Sequence, residues 1–284
     1  LKENDFLVGI SCDGPEFIHD KYRVSRSGKG TYEKVHSAIK ILQKYDVDFN
    51  ILCVVTNESS NYGTEIYRHF VNELNVRHVQ FIPIVEHRQV DSGELIYFSG
   101  NTDSSLTEWS VTGENYGRFL IDVFKCWVNR DVGTVFVQIF DSTLTAWMDM
   151  EPSMCVMQSS CGDSLVMEQN GDLYNCDHFV YPEYKLGSIF DSPTTYARND
   201  NRKKFTKMKS KLDAQCNRCN YKFACQGGCP KHRVGDSNSR HNVLCDGYFA
   251  YFSYIEPYMD FMCSLLKREQ PASTVMDYLH LIKS

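Results

Sequence analysis

The 284-residue chain lacks several features that would assign it at once to a class of protein. It has no excess of positive charge: its formal net charge of −6 argues against a general nucleic-acid or membrane-surface binder, which would be basic. No apolar run approaches the roughly eighteen residues that a membrane span requires. The sequence shows no signal-peptide pattern, no internal repeat and no low-complexity tract. We therefore expect a cytoplasmic globular protein of one large or two ordinary domains, with neither nucleic acid nor a membrane as partner.

The chain also has no initiator methionine. The sequence begins with Leu1 in the stretch LKENDFLVGIS, whose apolar residues predict a strand close to the first residue. We therefore expect this chain to be part of a longer protein.

The first 150 residues alternate strand and helix patterns. Apolar and β-branched runs predict strands at 6–12, 47–56, 78–85 and 134–139. Apolar residues at helical spacing predict helices at 31–46, 62–74 and 115–130. The segment 86–113 is polar and is predicted to be a loop. Strand–helix–strand order with short links indicates a parallel sheet with right-handed crossovers.

Residues 151–250 lose this periodicity and are rich in Cys, Gly, Asn and Asp. Val166–Met167 and Leu173–Tyr174 flank an Asn170-Gly171 turn and predict a hairpin, whereas most of the remainder reads as loop. A segment with so few apolar positions would fold poorly without cross-links, so we expect bound metal to organise it. The aromatic-rich segment 251–284 is typical of helices docked on the rest. We therefore expect three parts, 1–150, 151–250 and 251–284.

The twelve cysteines fall into two groups. Four lie singly in apolar segments and are expected to be buried free thiols that pack as small hydrophobes: Cys12, Cys53, Cys126 and Cys263. The other eight lie between Cys155 and Cys245, with the spacings C-x5-C-x14-C and C-x2-C-x5-C-x3-C-x15-C. Their number and spacing indicate metal ligation.

Two four-thiolate sites would use all eight of these cysteines. Zinc favours paired C-x2-C knuckles, and Cys216 with Cys219 is the one pair of that form. Irregular all-cysteine spacing suits iron–sulfur clusters better, so clusters are the preferred interpretation, with zinc and a disulfide framework as the alternatives. His178, His232 and His241 lie nearby in sequence and are expected to be hydrogen-bonding neighbours of the thiols.

These residues resemble a known family. The run CNRCNYKFACQGGCP, with Cys245 beyond it and C-x5-C…NGDLYNCD before it, resembles the SPASM domain of radical S-adenosylmethionine (SAM) enzymes. GISCDGPEFIHDKYRVSRSGKGTYEKV is similar to the fourth strand–helix unit of their barrels, and VDFNILCVVT and VQFIPIVE are similar to strands five and six. YNCDHFVYPEYKLGSI, CQGGCPKHR and the CxGYxxYF pattern resemble anaerobic sulfatase-maturating enzymes in particular. The resemblance covers nearly the whole chain.

The resemblance implies an α/β fold: a partial (β/α)6 radical SAM barrel containing its last strand–helix units, then a loop-rich SPASM iron–sulfur domain and C-terminal helices. Radical SAM enzymes also carry a C-x3-C-x2-C triad after their first strand, and this sequence contains none. We expect a preceding segment to hold that third [4Fe–4S] cluster together with SAM, and we expect this chain alone not to generate a radical.

The resemblance further implies roles for individual residues. It assigns Cys155, Cys161, Cys176 and Cys229 to the nearer of two auxiliary [4Fe–4S] clusters, and Cys216, Cys219, Cys225 and Cys245 to the outer one. Asp177 matches the catalytic base, which we expect beside a cluster and away from bulk water. Ser11, Arg23, Asn50 and Ile84 match SAM contacts, with Arg23 offering its fork to the methionine carboxylate. Asp13-Gly14-Pro15 is expected to form a turn.

The implied activity is sulfatase maturation, the oxidation of a Cys or Ser in a Cys/Ser-x-Pro/Ala-x-Arg segment of a sulfatase to Cα-formylglycine. A flavodoxin- or ferredoxin-like protein would supply electrons. Two alternatives remain at this point: another SPASM enzyme that modifies a different peptide, and a non-catalytic iron–sulfur protein for electron transfer or peptide docking.

Overall fold

The structure is a computed structural model that describes residues 1–90, 92–96, 104–162, 164–197, 199–234 and 241–282. The described residues group into two compact units. The first, which we call the sheet unit, draws on Leu1–Val85, Thr107–Met150 and Asp246–Ser284. The second, the cysteine unit, draws on Glu86–Leu106 and Glu151–Cys245. The C-terminal helices thus group with the sheet, and the polar segment after residue 85 groups with the cysteines.

The strands in chain order are β1 Val8–Ser11, β2 Phe49–Val55, β3 His78–Pro83, β4 His87–Gln89, β5 Leu95–Ile96, β6 Ser104–Leu106, β7 Phe136–Val137, β8 Val166–Met167, β9 Asp172–Tyr174, β10 Lys185–Ser188, β11 Arg233–Val234 and β12 His241–Asn242. The α-helices are α1 Glu16–Tyr22, α2 Tyr32–Lys44, α3 Gly63–Arg68, α4 Gly113–Arg130, α5 Gln138–Trp147, α6 Pro193–Ala197, α7 Asp200–Met208, α8 Ala214–Arg218, α9 Lys222–Cys225 and α10 Cys245–Leu266. A π-helical turn, His69–Glu73, continues α3, and the longest 3₁₀ segment is Ala272–Leu281. Among the described helices, none combines the length and the apolar character needed to cross a bilayer.

The sheet unit is built on a four-stranded parallel sheet, as the strand–helix alternation predicts. Its order is β1-β2-β3-β7, with parallel pairing throughout. Helix α4 begins where Thr112 caps it, the Thr112 hydroxyl accepting a hydrogen bond from the Asn115 N–H at 3.2 Å. The expectation of an α/β fold with a parallel sheet is confirmed.

The predicted strand at 134–139 is wrong in its second half. Only Phe136 and Val137 pair with β3, and Gln138 already begins α5. The apolar run continues as Ile139, Phe140, Thr143 and Ala146, which the structure buries at helical spacing. Alternation over a few residues does not distinguish a strand from the first turn of a buried helix.

The two faces of the parallel sheet have different surroundings. One face carries Ile51 and Cys53, both with no exposed surface, and Val79 and Phe81, exposed by 2% and 1%. Phe81 packs edge-on against Phe119 of α4, with ring centroids 5.1 Å apart. Side chains at the alternate positions of β1, β2 and β3 point to the opposite face, which the sheet unit leaves only partly buried.

Helix α10 crosses α4 at close range. A Cβ atom at Gly117 would lie 2.6 Å from the Gly247 Cα, so neither position tolerates a side chain without movement. Tyr116 and Tyr248, each next to one of these glycines, meet edge-on with centroids 5.9 Å apart. This packing explains why the aromatic C-terminal segment belongs to the sheet unit. Helix α10 begins at Cys245, six residues before the predicted boundary at 251.

The cysteine unit contains small antiparallel sheets joined by loops. The predicted hairpin is present: Val166 pairs with Tyr174 and Met167 with Leu173, and Gly171 adopts a φ of +85° in the turn. The prediction of a loop over 86–113 is wrong in part, because β4 pairs with β5 and β6 there. Those strands have two or three residues each, too few to produce a period-two pattern.

Candidate metal centre and cofactor-binding face

The eight cysteines between Cys155 and Cys245 all lie in the cysteine unit and within the described residues. All are free thiols, so the disulfide alternative is wrong. Short elements hold them: Cys155 begins a 3₁₀ turn, and Cys225 ends α9. Of the four thiols predicted to be buried, Cys12, Cys53 and Cys263 are buried, whereas Cys126 is half-buried.

One group of thiols surrounds Cys229, which is 7% exposed. Burial is the main cause that raises the pKa of Cys229 to about 12, and the neighbouring Cys155 and Cys161 thiols add to the rise. Burial likewise raises the pKa of Cys176 to about 12, with smaller contributions from Asp177 and Cys229. The structure thus brings together the four cysteines that the resemblance implies for the nearer cluster.

A second group contains Cys216, Cys219 and Cys225. Burial raises the pKa of Cys216 to about 11, and the Cys225 thiol contributes to that rise. The pKa of Cys225 is also raised, mainly by burial and additionally by Cys219. A thiol with a raised pKa stays protonated at neutral pH unless a metal displaces its proton.

The segment that ends at Cys245 contacts the second group through Asp213 and His241. Asp213 caps α8, its Oδ1 accepting a hydrogen bond from the Cys216 N–H at 2.7 Å. Its Oδ2 lies 2.8 Å from Nδ1 of His241. Because His241 precedes Cys245 by four residues, the pair links the segments that carry Cys216 and Cys245.

The loop between Cys225 and Cys229 separates the two groups. Gln226, Gly227 and Gly228 have φ angles of +49°, +72° and +63°, three consecutive residues in the left-handed region. Two glycines make this backbone accessible, and Gln226 carries a conformational cost. The tight loop lets two cysteines four positions apart serve different groups.

Arg233 lies beneath this loop and is only 3% exposed. Its Nε donates to the Gly227 carbonyl at 3.0 Å, and its Nη2 donates to those of Gln226 and Gly228 at 3.2 and 3.3 Å. Its Nη1 donates to the carbonyls of Lys209 and Lys211, both at 3.0 Å. The five donated bonds use every N–H of the guanidinium.

Lys209 is a second buried cation, 1% exposed. Its Nζ donates to the Cys155 carbonyl at 2.6 Å, and burial lowers its pKa to about 8. Within the described part of the chain, neither Lys209 nor Arg233 forms a salt bridge with a carboxylate. Buried cations require a negative partner, and the thiols are the groups at hand. The site therefore fits an anionic centre held by thiolates.

Mixed donor sets are also present. Cys229 lies with His178 and His232, and Cys216 with Asp213 and His241, each trio having its ligand atoms within 4.8 Å of one another. Such sets are compatible with zinc. However, His178 Nδ1 lies 3.4 Å from the Cys229 sulfur and His241 pairs with Asp213. The histidines are therefore placed to hydrogen-bond to the thiols and their neighbours.

Asp177 follows Cys176 at the start of a 3₁₀ turn. Its Oδ1 accepts hydrogen bonds from the His178 N–H at 3.0 Å and from the Cys176 thiol at 3.4 Å. The carboxylate lies beside Cys176, but it is exposed, so the expectation that it is shielded from bulk water is wrong. The 3₁₀ turn that follows the hairpin directs the Asp177 side chain toward the solvent.

The predicted SAM contacts lie in the sheet unit, and three share one face of the sheet. Ser11 is level with Leu52 in the β1–β2 register, and Asn50 lies two residues nearer the amino ends. Leu52 is level with Gln80, so Ile84 lies four residues nearer the carboxyl ends. Because side chains alternate, Ser11, Asn50 and Ile84 all belong to the partly buried face. They extend along that face and do not converge on a single point.

Arg23 is held by a residue that the sequence indicated only as part of a turn. Its Nε and Nη2 donate to the two carboxylate oxygens of Asp13 at 2.6 and 3.1 Å. Asp13 is 8% exposed and also accepts the Val54 N–H at 2.9 Å, so it is fixed at the end of β2. The pair orients the guanidinium and leaves Nη1 for another acceptor. An Asp beside a strand end with an Arg ten positions later was too weak a signal to predict this pairing.

Comparisons with known proteins agree with this arrangement. Residues 155–220 match a family profile described as SPASM, an iron–sulfur cluster-binding domain. A serine-type anaerobic sulfatase-maturating enzyme of Bacteroides thetaiotaomicron is 41% identical over 98% of this chain. The serine-type enzyme of Klebsiella aerogenes is 33% identical over 90% of it, and the cysteine-type enzyme of Clostridium perfringens strain 13 is 32% identical over 90%. The chain spans 69%, 59% and 67% of the lengths of these three relatives, respectively.

A solved structure is similar as well. Native anSMEcpe with bound AdoMet and the Kp18Cys peptide superposes with a TM-score of 0.79 at 29% identity. The match covers 93% of this chain and 71% of that one. The iron–sulfur description of the matching domain favours clusters over the zinc alternative.

Proposed function

The chain belongs to the family of anaerobic sulfatase-maturating enzymes, and from this membership we propose that, as part of a longer protein, it oxidises a Cys or Ser of a sulfatase to Cα-formylglycine. The observation that carries the proposal is the set of eight free thiols, arranged in two groups around two buried cations that have no carboxylate partner among the described residues. Such a set fits two anionic clusters better than it fits a structural zinc site.

Each thiol group would hold one auxiliary [4Fe–4S] cluster. The nearer cluster would take Cys155, Cys161, Cys176 and Cys229, and the outer one Cys216, Cys219, Cys225 and Cys245. When bound, SAM with its own cluster supplies the oxidising radical, and the auxiliary clusters supply a path for the electron that leaves the substrate. The cysteines that would hold the SAM cluster are absent from this sequence, so we propose that this chain alone is inactive.

SAM would lie along the partly buried face of the sheet, against Ser11, Asn50 and Ile84. Arg23, oriented by Asp13, would donate from its remaining Nη1 to the methionine carboxylate. Asp13 neutralises part of the Arg23 charge and fixes its direction, so the guanidinium is ordered before the ligand arrives.

Asp177 would accept the proton from the substrate side chain. The His178 N–H and the Cys176 thiol occupy its Oδ1, while Oδ2 has no partner within the described residues and can face the substrate. Because the carboxylate is exposed, we propose that the bound sulfatase peptide covers it and excludes water at the moment of reaction. We also propose a cytoplasmic location, where the eight thiols stay reduced, and an electron donor of flavodoxin or ferredoxin type.

The test uses the longer protein, with its SAM cluster, and a Cys-x-Pro-x-Arg peptide. Reconstituted protein should bind enough iron for three clusters, and the peptide should be converted to an aldehyde. Asp177→Asn should still form 5′-deoxyadenosine but lose about 10²–10⁴-fold in formylglycine formation, because the amide cannot accept the proton. Asp200→Asn, which changes an exposed carboxylate of the same unit, is the matched control.

Three results would contradict the proposal in different ways. Two tightly bound zinc ions in place of iron would exclude the clusters. Iron-loaded protein that cleaves SAM but leaves every sulfatase peptide unchanged would favour a maturase of a different peptide. Asp177→Asn turning over the peptide within a few-fold of the parent would make Asp177 a turn residue.

A further inference from the structure

The cysteine unit carries a concentration of positive charge that the proposed chemistry does not use. Between Asn199 and Val234 the sequence has ten Lys or Arg residues and two Asp, in a chain whose formal net charge is −6. Two of the ten, Lys209 and Arg233, are buried beside the thiols. Most of the others lie at the surface, where their charge faces the solvent.

Helix α7 presents part of this charge in a fixed orientation. Phe205 is 4% exposed and packs edge-on against Phe179, with ring centroids 5.3 Å apart. The Thr206 carbonyl accepts a hydrogen bond from the Cys161 N–H at 3.1 Å, so the helix is attached directly to a cysteine segment. With Phe205 turned inward, Lys204 and Lys207 are exposed on the outside.

Three exposed lysines of this region have no acidic partner among the described residues. Lys204, Lys207 and Lys211, which we call the lysine surface, form no salt bridge within the described residues. Elsewhere in the chain lysines do find carboxylates: Lys125 lies 3.2 Å from Asp122, and Lys185 lies 2.6 Å from Asp172. Unpaired cations on one surface create a local positive potential, which attracts an acidic partner.

The lysine surface borders the segment that carries Cys216. Its three lysines line a cavity of about 980 Å³ whose wall also includes Glu183, Asp213 and Asn217. Asp213 accepts the hydrogen bond from the Cys216 N–H, so the cavity adjoins the cysteine segment itself. Cys216 and Cys219 are partly exposed, whereas the first group combines the exposed Cys155 with the buried Cys229. A partner resting on the three lysines would therefore lie beside the segment that carries Cys216, a thiol that is not fully buried.

We propose that the lysine surface is the docking site of a small acidic one-electron carrier protein, which receives the electron from the centre held by Cys216, Cys219, Cys225 and Cys245. The inference rests on the proposed function, because it assumes that an electron leaves through this centre. One electron passes to the carrier, so the centre is oxidised and the carrier reduced by one electron, and no bond or proton is exchanged. A long polyanion such as nucleic acid fits less well, since the chain as a whole has a formal net charge of −6.

The experiment compares two triple variants of the cluster-loaded full-length protein. The test variant is Lys204→Glu/Lys207→Glu/Lys211→Glu, and the control is Lys34→Glu/Lys40→Glu/Lys44→Glu. The control lysines are exposed on or at the end of α2 in the sheet unit, so both variants change the net charge equally. The probes are an oxidised flavodoxin and a small uncharged quinone, mixed in a stopped-flow spectrometer with protein that has been reduced by dithionite and then freed of the excess reductant. Flavodoxin binding is measured separately by calorimetry.

The test variant should lose at least about tenfold in the rate of reoxidation by flavodoxin at low ionic strength, with a matching loss of affinity. The difference from the parent should shrink in about 0.5 M salt, because exposed charges are screened. The control should stay within about threefold of the parent, and the quinone should reoxidise all three proteins at the same rate.

Equal losses in both triple variants would overturn the inference, because net charge and not position would then be responsible. An unchanged flavodoxin rate with a raised KM for the sulfatase peptide would also overturn it and assign the surface to the substrate. Failure of the proposed function is distinguishable: protein that makes no formylglycine but still transfers electrons to flavodoxin through these lysines would refute sulfatase maturation and leave the docking surface in place.

Discussion

Replacing Arg233 with lysine should loosen the loop between Cys225 and Cys229 while keeping the positive charge. The guanidinium donates five hydrogen bonds to backbone carbonyls, three of them in the left-handed run 226–228. An ammonium group has three N–H bonds and lacks the planar fork, so at least two of the five hydrogen bonds are lost. The Gly227 carbonyl keeps a second donor, Asn242 Nδ2 at 3.2 Å, so the loss falls on the other carbonyls. Each buried acceptor left unsatisfied costs about 1–3 kcal/mol, so two such acceptors cost about 2–6 kcal/mol.

Arg233→Met removes all five hydrogen bonds and the positive charge. It should therefore lower the stability by at least as much as Arg233→Lys. Because the loop joins Cys225 and Cys229, which belong to different thiol groups, both proposed clusters should be affected together. The iron content after anaerobic reconstitution should fall in both variants, and hydrogen exchange should rise at residues 225–233. In any methionine variant that retains iron, the midpoint potential should be lower than in the lysine variant, because a nearby positive charge favours the more negative, reduced state.

Arg218→Lys is the matched control, since Arg218 is exposed in the same unit. Arg218→Lys should keep the iron content, the hydrogen-exchange protection and the midpoint potential of the parent protein. Full iron occupancy and unchanged exchange at 225–233 in Arg233→Lys would refute the reasoning, because it would show that the loop keeps its conformation without the five hydrogen bonds.

Two further predictions concern stability. Burial raises the pKa of the half-buried Asp141 to about 6, so the folded state favours the protonated carboxyl. The free energy of unfolding should therefore fall as the pH rises from about 4 to 6, and it should stay level above that. Asp141→Asn should therefore raise the free energy of unfolding by about 2 kcal/mol at pH 7.5, allowing for partial exposure, and should remove this pH dependence in urea unfolding. The exposed control Asp149→Asn should change neither. Equal pH dependence in both variants would contradict the reasoning. Removing the iron with a chelator should abolish exchange protection over 151–245 while the parallel sheet keeps its own, because the cysteine unit is mostly loop. Equal protection of 151–245 with and without iron would show that metal does not organise that unit.

Local sequence patterns were sufficient to predict much of the secondary structure of this protein. The β-branched run at 47–56, the periodic helix at 31–46 and the Asn170-Gly171 hairpin each follow from neighbouring residues, and the structure contains all three. The cysteine spacings indicated metal ligation and a family, because a ligand set is a property of residue types at given separations. The short strands at 87–106 and the helix that begins at Gln138 were missed, since two or three residues do not establish a period.

The tertiary structure alone decided which groups surround the site. Nothing in the sequence distinguishes Lys209 and Arg233, which are buried, from Lys207 and Lys211, which are exposed. The pairing of Arg23 with Asp13, the common face of Ser11, Asn50 and Ile84, and the outward position of Asp177 likewise depend on register and on chain crossings. Burial and long-range pairing are set by segments that meet only when the chain has folded, so a residue's own neighbours in sequence carry too little information to predict them.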